Sequence, residues 1–241
     1  MLKTAKSVVK ATFHLCGLDI RRIPRFEPYE WLKGMNIRTI LDIGANTGQF
    51  ATLIHEVLPE AMIYSFEPLE DCYNELEKRM RKVNNFEAFN VALTDINGEL
   101  EFHRNEHSPS SSALSMTDLH KHNYPYAAKD NLIKVQSIRL DDVAKDLKIK
   151  DDLLIKIDVQ GFEDKVIAGG ENTIRQAAIM IIETSFQVLY AGQPLFEDIY
   201  DLLKQDFRYM GSWGKSRISQ VDSSPLFEDS IFVNKSSELS I

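Results

Sequence analysis

Cysteine, long apolar runs and positive charge are all scarce in this 241-residue chain, and each scarcity closes off a class of protein. The two cysteines, Cys16 and Cys72, sit in no metal-ligand or redox spacing. A disulfide framework is therefore excluded and a reducing compartment expected. The longest purely apolar run is six residues, "AAIMII" at Ala177–Ile182, far short of the roughly 20 that span a bilayer. Lys and Arg number 28 against 36 Asp and Glu, a net charge of −8. General nucleic-acid binding is excluded on that balance, because phosphate neutralisation needs a basic surface. The expected location is cytoplasmic.

One segment goes against the acidic balance. Residues 1–26 hold six basic side chains and one acid, Asp19. Lys3, Lys10 and His14 share a helical face, roughly opposite Leu2, Val9, Phe13 and Cys16. Such a pattern suits either a basic amphipathic helix in peripheral contact with the inner face of a membrane, or an accessory helix covering the domain. The second reading is preferred, so that 1–30 form an N-terminal accessory helix and linker and 31–241 a single domain. No continuous apolar stretch follows the lysines, so a signal peptide is not expected. Nothing in the sequence sets the oligomeric state.

From residue 38 onward strands and helices alternate. Arg38–Ile43, Ala61–Pro68 and Phe86–Leu93 read as strands; Thr47–Leu58 and Leu69–Val83 read as helices between them. That alternation implies a mostly parallel sheet covered on both faces. It breaks at Glu99–Asn105, an exposed strand, and at Glu106–Asp130, a long polar segment. A connection of that length is a functional loop or is disordered. Strands resume at Leu132–Leu140, Leu153–Val159 and Ala178–Thr184, with helices near Glu163–Ala168 and Phe196–Gln205 and two strand-like pieces at the C-terminus.

The ligand is legible at the first strand's end. "RTILDIGANTGQFATLI" (Arg38–Ile54) runs from a strand through Gly44-Ala45-Asn46-Thr47-Gly48 into a helix. A dinucleotide fingerprint would place a glycine where Asn46 stands and another after Gly48. The acid Asp42 would repel a pyrophosphate yet suits a sulfonium or an ammonium. Both features favour S-adenosylmethionine over NAD. Glu67 ends the next strand at the distance where nucleoside sites place a ribose-binding carboxylate; it also suits a helix N-terminus. Asp95, after the third strand, is either an adenine partner or a turn residue. The expected cofactor-binding residues are Asp42, Gly44, Asn46, Gly48, Glu67 and Asp95.

"TILDIGANTGQF", "YSFEP", "NVAL" before "NGEL", "IRLDDV", "LLIKIDVQGFEDKVIAG", "IIET" and "DSIFVN" together resemble the FkbM family of S-adenosylmethionine-dependent methyltransferases. The resemblance runs from about Thr39 to Asn234. It implies a class I methyltransferase fold, a Rossmann-like α/β sandwich with a seven-stranded, mostly parallel sheet whose last strand is antiparallel, here with an inserted hairpin and loop. It also implies O-methylation of sugar or glycan hydroxyls, or of related natural-product intermediates such as polyketides. The family commonly reads "DVEG" where this chain has Asp158-Val159-Gln160-Gly161.

Methyl transfer to a hydroxyl needs alignment and a base at the cofactor end of the strands. Asp158 and Glu183 end neighbouring strands, and Lys156 shares the sheet face of Asp158. These three are the expected catalytic residues. The competing roles are a helix cap for Asp158, an ion pair for Glu183 and a strand-end lysine for Lys156. No third acid or histidine is placed to complete a metal site, so none is expected. The long polar segment reads as the acceptor lid, with His103, His107, His120 and His122 as further candidate bases and Tyr124, Tyr126, Tyr190 and Trp213 as candidate sugar platforms. Two rival functions remain: an NAD-dependent sugar-modifying enzyme, against which the broken fingerprint counts, and a catalytically degenerate binding module in a glycan-assembly complex.

Overall fold

The computed structural model describes residues 29–150 and 152–237 together with Phe13, without the side chains of Trp213 and Lys215. The chain separates into two units, 1–30 and Trp31–Ile241, and the second holds both sheets and the helices around them. The N-terminal basic segment expected to be an accessory helix, and Cys16 within it, lie outside the described residues, Phe13 excepted.

Seven strands form the main sheet: β1 (Thr39–Ile43), β2 (Met62–Phe66), β3 (Phe86–Phe89), β7 (Leu153–Ile157), β8 (Ala177–Ser185), β9 (Phe207–Ile218) and β10 (Pro225–Asn234). Their order is β3-β2-β1-β7-β8-β10-β9. β10 runs antiparallel to both neighbours, and the other observed pairings are parallel. This is the class I methyltransferase order. Every residue of β1 and β7 is buried, which explains their nearly unbroken apolar runs: interior parallel strands are covered on both faces.

Alternation divides those strands between two layers. Leu41, Ile43, Tyr64, Phe66, Ile155, Ile157, Met180 and Ile182 join the main core, together with Leu140, Val166, Ile167, Ile199 and Leu203 from the helices on that side. Asp42, Ser65 and Lys156 lie side by side in register on the other face. That face is covered by α1 (Gln49–Val57), whose Phe50 ring lies 5.5 Å from the Lys156 ammonium. Next comes α2 (Glu70–Met80), which buries Cys72, Leu76 and Met80 at four-residue spacing and has acids in its first turn and bases in its last. Both arrangements favour the helix.

The stretch expected to be one strand, Phe86–Leu93, is two. After β3 the chain turns at Asn90 and Val91, and Ala92–Thr94 forms β4 in a second sheet ordered β4-β6-β5. There β5 (Gly98–Asn105) pairs antiparallel with β6 (Asp130–Arg139) over eight positions. Phe102 and Val135 of this inserted hairpin pack with Leu69 and Cys72. Periodicity alone ran the two strands together because both are apolar.

Residues 106–129, joining β5 to β6, are not a structureless loop. They hold a turn at Ser108–Ser110, the short helix α3 (Asp118–Asn123) and a turn at Pro125–Ala127. Fully buried Asn105 fastens both ends of the segment. Its side-chain oxygen accepts from the His107 amide at 2.8 Å, and its amide nitrogen donates to the carbonyls of Ala127 and Lys129 at 2.5 and 2.9 Å. Met116 and Ala127 bury against Leu189, Tyr190 and Leu226. Among the described residues no helix is long and apolar enough to cross a membrane.

Candidate active site

The chain leaves β1 for β2 and β3 on one side and returns to β7 on the other, so β1 and β7 flank the point where strand order reverses. Ligands bind outside the carboxyl ends of strands at such a point. On the β1 side, the Gly44 and Ala45 amides both donate to the Phe66 carbonyl at 3.0 Å. Gly44, Asn46 and Gly48 all have left-handed φ, at 81°, 47° and 86°. A β-carbon on Gly44 would stand 1.9 Å from the Asp158 carbonyl oxygen, so β1 and the segment after β7 approach at a distance only glycine permits.

Glu67 is buried, and both its carboxylate oxygens are engaged. One accepts from the Asn46 amide at 2.8 Å, the other from the Leu69 amide at 2.9 Å. It thus clamps the glycine turn and starts α2. Each oxygen keeps lone-pair capacity for a further donor. Burial pushes its pKa up to about 7, against the lowering effect of those two amides.

Asp42 is wholly buried. One oxygen accepts from the Ser65 hydroxyl at 3.1 Å, while the other makes no hydrogen bond among the described residues. Burial pushes its pKa up to about 6, with Lys156 acting in the opposite sense. An orphaned buried carboxylate oxygen is costly. It fits a cationic ligand group, as S-adenosylmethionine carries and NAD's pyrophosphate does not.

The structure joins Asp42, Gly44, Asn46, Gly48 and Glu67 in one corner and leaves Asp95 out. Asp95 follows β4, and its Cα lies within 3.2 Å of a β-carbon placed on Gly169, the last residue of α5 (Glu163–Gly169). α5 starts near the carboxyl end of β7, so Asp95 sits one short helix, about 10 Å, from that end. The residue that follows β3 is Asn90, whose side chain donates to the Glu67 and Pro68 carbonyls.

On the β7 side, the Lys156 ammonium is buried and donates to Asp158 at 2.9 Å. Burial alone would lower its pKa. Asp158, Asp42 and Asp229 outweigh that, so Lys156 is held above the usual lysine range and stays charged. Asp158 does not cap the following helix. That helix has no side-chain cap; Glu163, its first residue, instead ties down the turn before it, accepting from the Val159 and Gly161 amides at 3.2 and 3.1 Å. Partly buried Asp158 and Glu183 are bridged by the Gln160 side chain, whose amide nitrogen donates to them at 2.8 and 2.7 Å. Glu183 is raised well above the carboxylate range by burial, then by the charges of Asp158, Glu163 and Asp229. Asp229 lies opposite Glu183 on β10. Gln160, Glu163 and Asp229 escaped the sequence reading. For Gln160 the signal was its place between two acids; for Asp229 only strand pairing reveals it.

None of the four segment histidines bonds to Asp158 or Glu183. His103 pairs with Asp130, His107 with Ser110, and His122 with the Asp118 carbonyl. His120 is buried with its ring 4.8 Å from that of Tyr190, and burial lowers its pKa to about 4. Tyr190, expected as a platform, is itself buried and gives its hydroxyl to Gln160. Tyr126 is exposed beside His107, and Tyr124 is partly covered. The segment reaches the cofactor corner as well: the Ser108 hydroxyl donates to the Asn46 side chain at 3.2 Å. Among the described residues no group of three or more His, Cys, Asp and Glu is arranged to hold a metal ion.

The model of the methyltransferase FkbM domain matches residues 42–209. The chain is 33% identical over 170 residues to 2-O-methyltransferase NoeI of Sinorhizobium fredii, covering 68% of this chain and 70% of that protein. It is similar to the solved methyltransferase FkbM from Methylobacillus flagellatus, at 13% identity and a TM-score of 0.49. That match covers 82% of this chain but only 43% of the other. It is also similar to a SAM-dependent methyltransferase from Aquifex aeolicus, at 13% identity and a TM-score of 0.41, over 86% and 90% of the two chains. With the family model covering more than two thirds of its length, this chain belongs to the FkbM methyltransferases and takes its methyl group from S-adenosylmethionine.

Proposed function

We propose that the chain methylates a hydroxyl oxygen of a sugar, a glycan or a related natural-product intermediate, with Asp158 as the base. S-adenosylmethionine, when bound, supplies a methyl group on positively charged sulfur. Asp42 offers its unpaired oxygen to the cofactor's cationic amino-acid end, and the turn from Gly44 to Gly48 offers backbone at close range. Glu67 has acceptor capacity left for ribose hydroxyls.

The observation that carries the reading is the partly buried acid pair Asp158–Glu183, backed by a buried, charged Lys156 at the carboxyl edge beside the turn. An alcohol is a poor nucleophile, and a carboxylate in reach of its proton raises its reactivity. Asp158 would accept that proton as the oxygen bonds the methyl carbon and the methyl–sulfur bond breaks, its electron pair leaving on a neutral thioether sulfur. Lys156 holds the carboxylate in place. The name of the relative, a 2-O-methyltransferase, places methyl on oxygen there, and that chemistry is carried to this chain as part of the proposal. Exposed Tyr126 and the edge of His107 offer aromatic surface of the kind a pyranose stacks on.

The test is transfer of tritiated methyl from S-adenosylmethionine to a panel of methyl glycosides. The expected product is a methyl ether that survives alkali. Binding of S-adenosylhomocysteine by calorimetry, with no transfer to any glycoside in the panel, would contradict the sugar acceptor.

A further inference from the structure

Gln160 has a left-handed backbone, φ 57°, without being glycine. Such a conformation persists only where the surroundings over-determine it. Here they do: every polar atom of its side chain is used. The amide nitrogen donates to Asp158 and Glu183, and the amide oxygen accepts from the Tyr190 hydroxyl at 2.9 Å. Its main-chain carbonyl accepts from the Ser112 hydroxyl at 2.7 Å. The next residue, Gly161, packs so closely that a β-carbon there would stand 2.9 Å from the Gln193 side chain and 3.3 Å from that of Tyr190.

The two acids fix which way the amide points, and the Tyr190 hydroxyl holds its far end. Flipped, the amide would set its oxygen against two carboxylates. Two carboxylates side by side repel, and among the described residues Lys156 donates to Asp158 alone. Among the described residues Gln160 is the sole hydrogen-bond donor to Glu183.

We propose that Gln160, locked by Tyr190, is the positioning residue that holds Asp158 and Glu183 together as a working pair. This rests on the reading of Asp158 as the base. It also gives the inserted segment a route to the reacting end, because Ser112 holds the Gln160 carbonyl and the Ser110 carbonyl lies 3.2 Å from the Tyr190 hydroxyl.

The test is a carbon-13 titration of the Glu183 carboxyl in the full chain saturated with S-adenosylhomocysteine, assigned by loss of its signal in Glu183→Gln. The groups facing Glu183 are Lys156 on β7, Asp158 just after it, Glu163 on α5, Asp229 on β10, and the hydroxyls of Tyr124 and Tyr190. In Gln160→Met the N–H that favours the ionised form is lost, so the midpoint rises by about one pH unit. Gln160→Glu, which adds a negative charge, raises it further. Tyr190→Phe releases the far end of the amide and raises it less. An unmoved midpoint in Gln160→Met, with the homocysteine derivative still bound, would overturn the proposal and leave the amide as a tie between loops. If Gln160→Met does not fold, Tyr190→Phe, which deletes one hydroxyl, decides on the same readout. The titration needs no acceptor, so its outcome is separate from the glycoside assay.

Discussion

On the β1 side of the cleft the one clamping carboxylate, Glu67, takes two backbone amides, and the turn it holds carries three left-handed residues between Gly44 and Gly48. On the β7–β8 side the carboxylates take side-chain donors, Lys156 and Gln160, delivered from separate positions and steadied by Tyr190. The first corner is therefore rigid and intolerant of substitution, as suits a cofactor that never changes. The second is a set of exchangeable side chains beneath an inserted segment, as suits the proposed acceptor side. On the proposed reading, backbone geometry serves the cofactor and side chains serve the acceptor.

Breaking the rigid corner has the largest expected effect. Gly44→Ala drives a β-carbon into the Asp158 carbonyl at a left-handed φ. The expected cost is about 3 kcal/mol or more, with no cofactor binding detectable by calorimetry. Wild-type affinity in that variant would show that the two segments have room to move apart.

Breaking the exchangeable corner spares binding and costs rate. Asp158→Asn is expected to lower kcat by about 10²- to 10⁴-fold, with calorimetric affinity for S-adenosylhomocysteine within about threefold of wild type. If affinity falls with rate, the two corners are not separable.

A smaller effect sharpens the border between them. Asp42→Asn keeps an oxygen for Ser65 and removes the unpaired charge. Cofactor affinity should fall about tenfold while the melting temperature holds or rises, since a buried charge has been removed. Unchanged affinity would move the cofactor's cationic end elsewhere.

The last effect is spread over pH. Burial raises Asp42 from 3.8 to about 6, and Glu67 and Glu163 from 4.5 to about 7. The folded chain keeps protons that the unfolded chain has released, so these groups lower stability as pH rises from about 4 to about 7. Glu163→Gln retains an acceptor for the Val159 and Gly161 amides and loses the titration. Thermal melts of the cofactor-free variant from pH 4.5 to 7.5 should show a shallower decline, by up to about 3 kcal/mol across the window. An unaltered slope would mean Glu163 does not titrate there.

The same contrast governs how much of the molecule the sequence discloses. The cofactor corner lies within Asp42–Leu69, in contiguous strand–turn–helix segments, so Asp42, Gly44, Gly48 and Glu67 are readable from spacing. Asp158 and Glu183 are readable as candidates because the first follows an apolar strand and the second stands near the end of the next. Asp229 is not, because it joins the group only through antiparallel pairing of β10 with β8. Asp95 reads as a third-strand acid because Ala92–Thr94 continues the apolar pattern of β3. The intervening turn at Asn90 and Val91 sends it into another sheet. The segment from 106 to 129 reads as a polar loop because its order comes from fastenings such as Asn105, and a polar residue gives no periodic signal.

The division into two corners is tested most directly by a crystal structure of the chain with S-adenosylhomocysteine. The expected result is the ligand's amino group at the free oxygen of Asp42, and its sulfur facing Asp158 with room for one acceptor oxygen, about 6 Å from the carboxylate. A sulfur turned away from the Asp158–Glu183 pair, or an amino group held elsewhere with Asp42 still unpartnered, would contradict it.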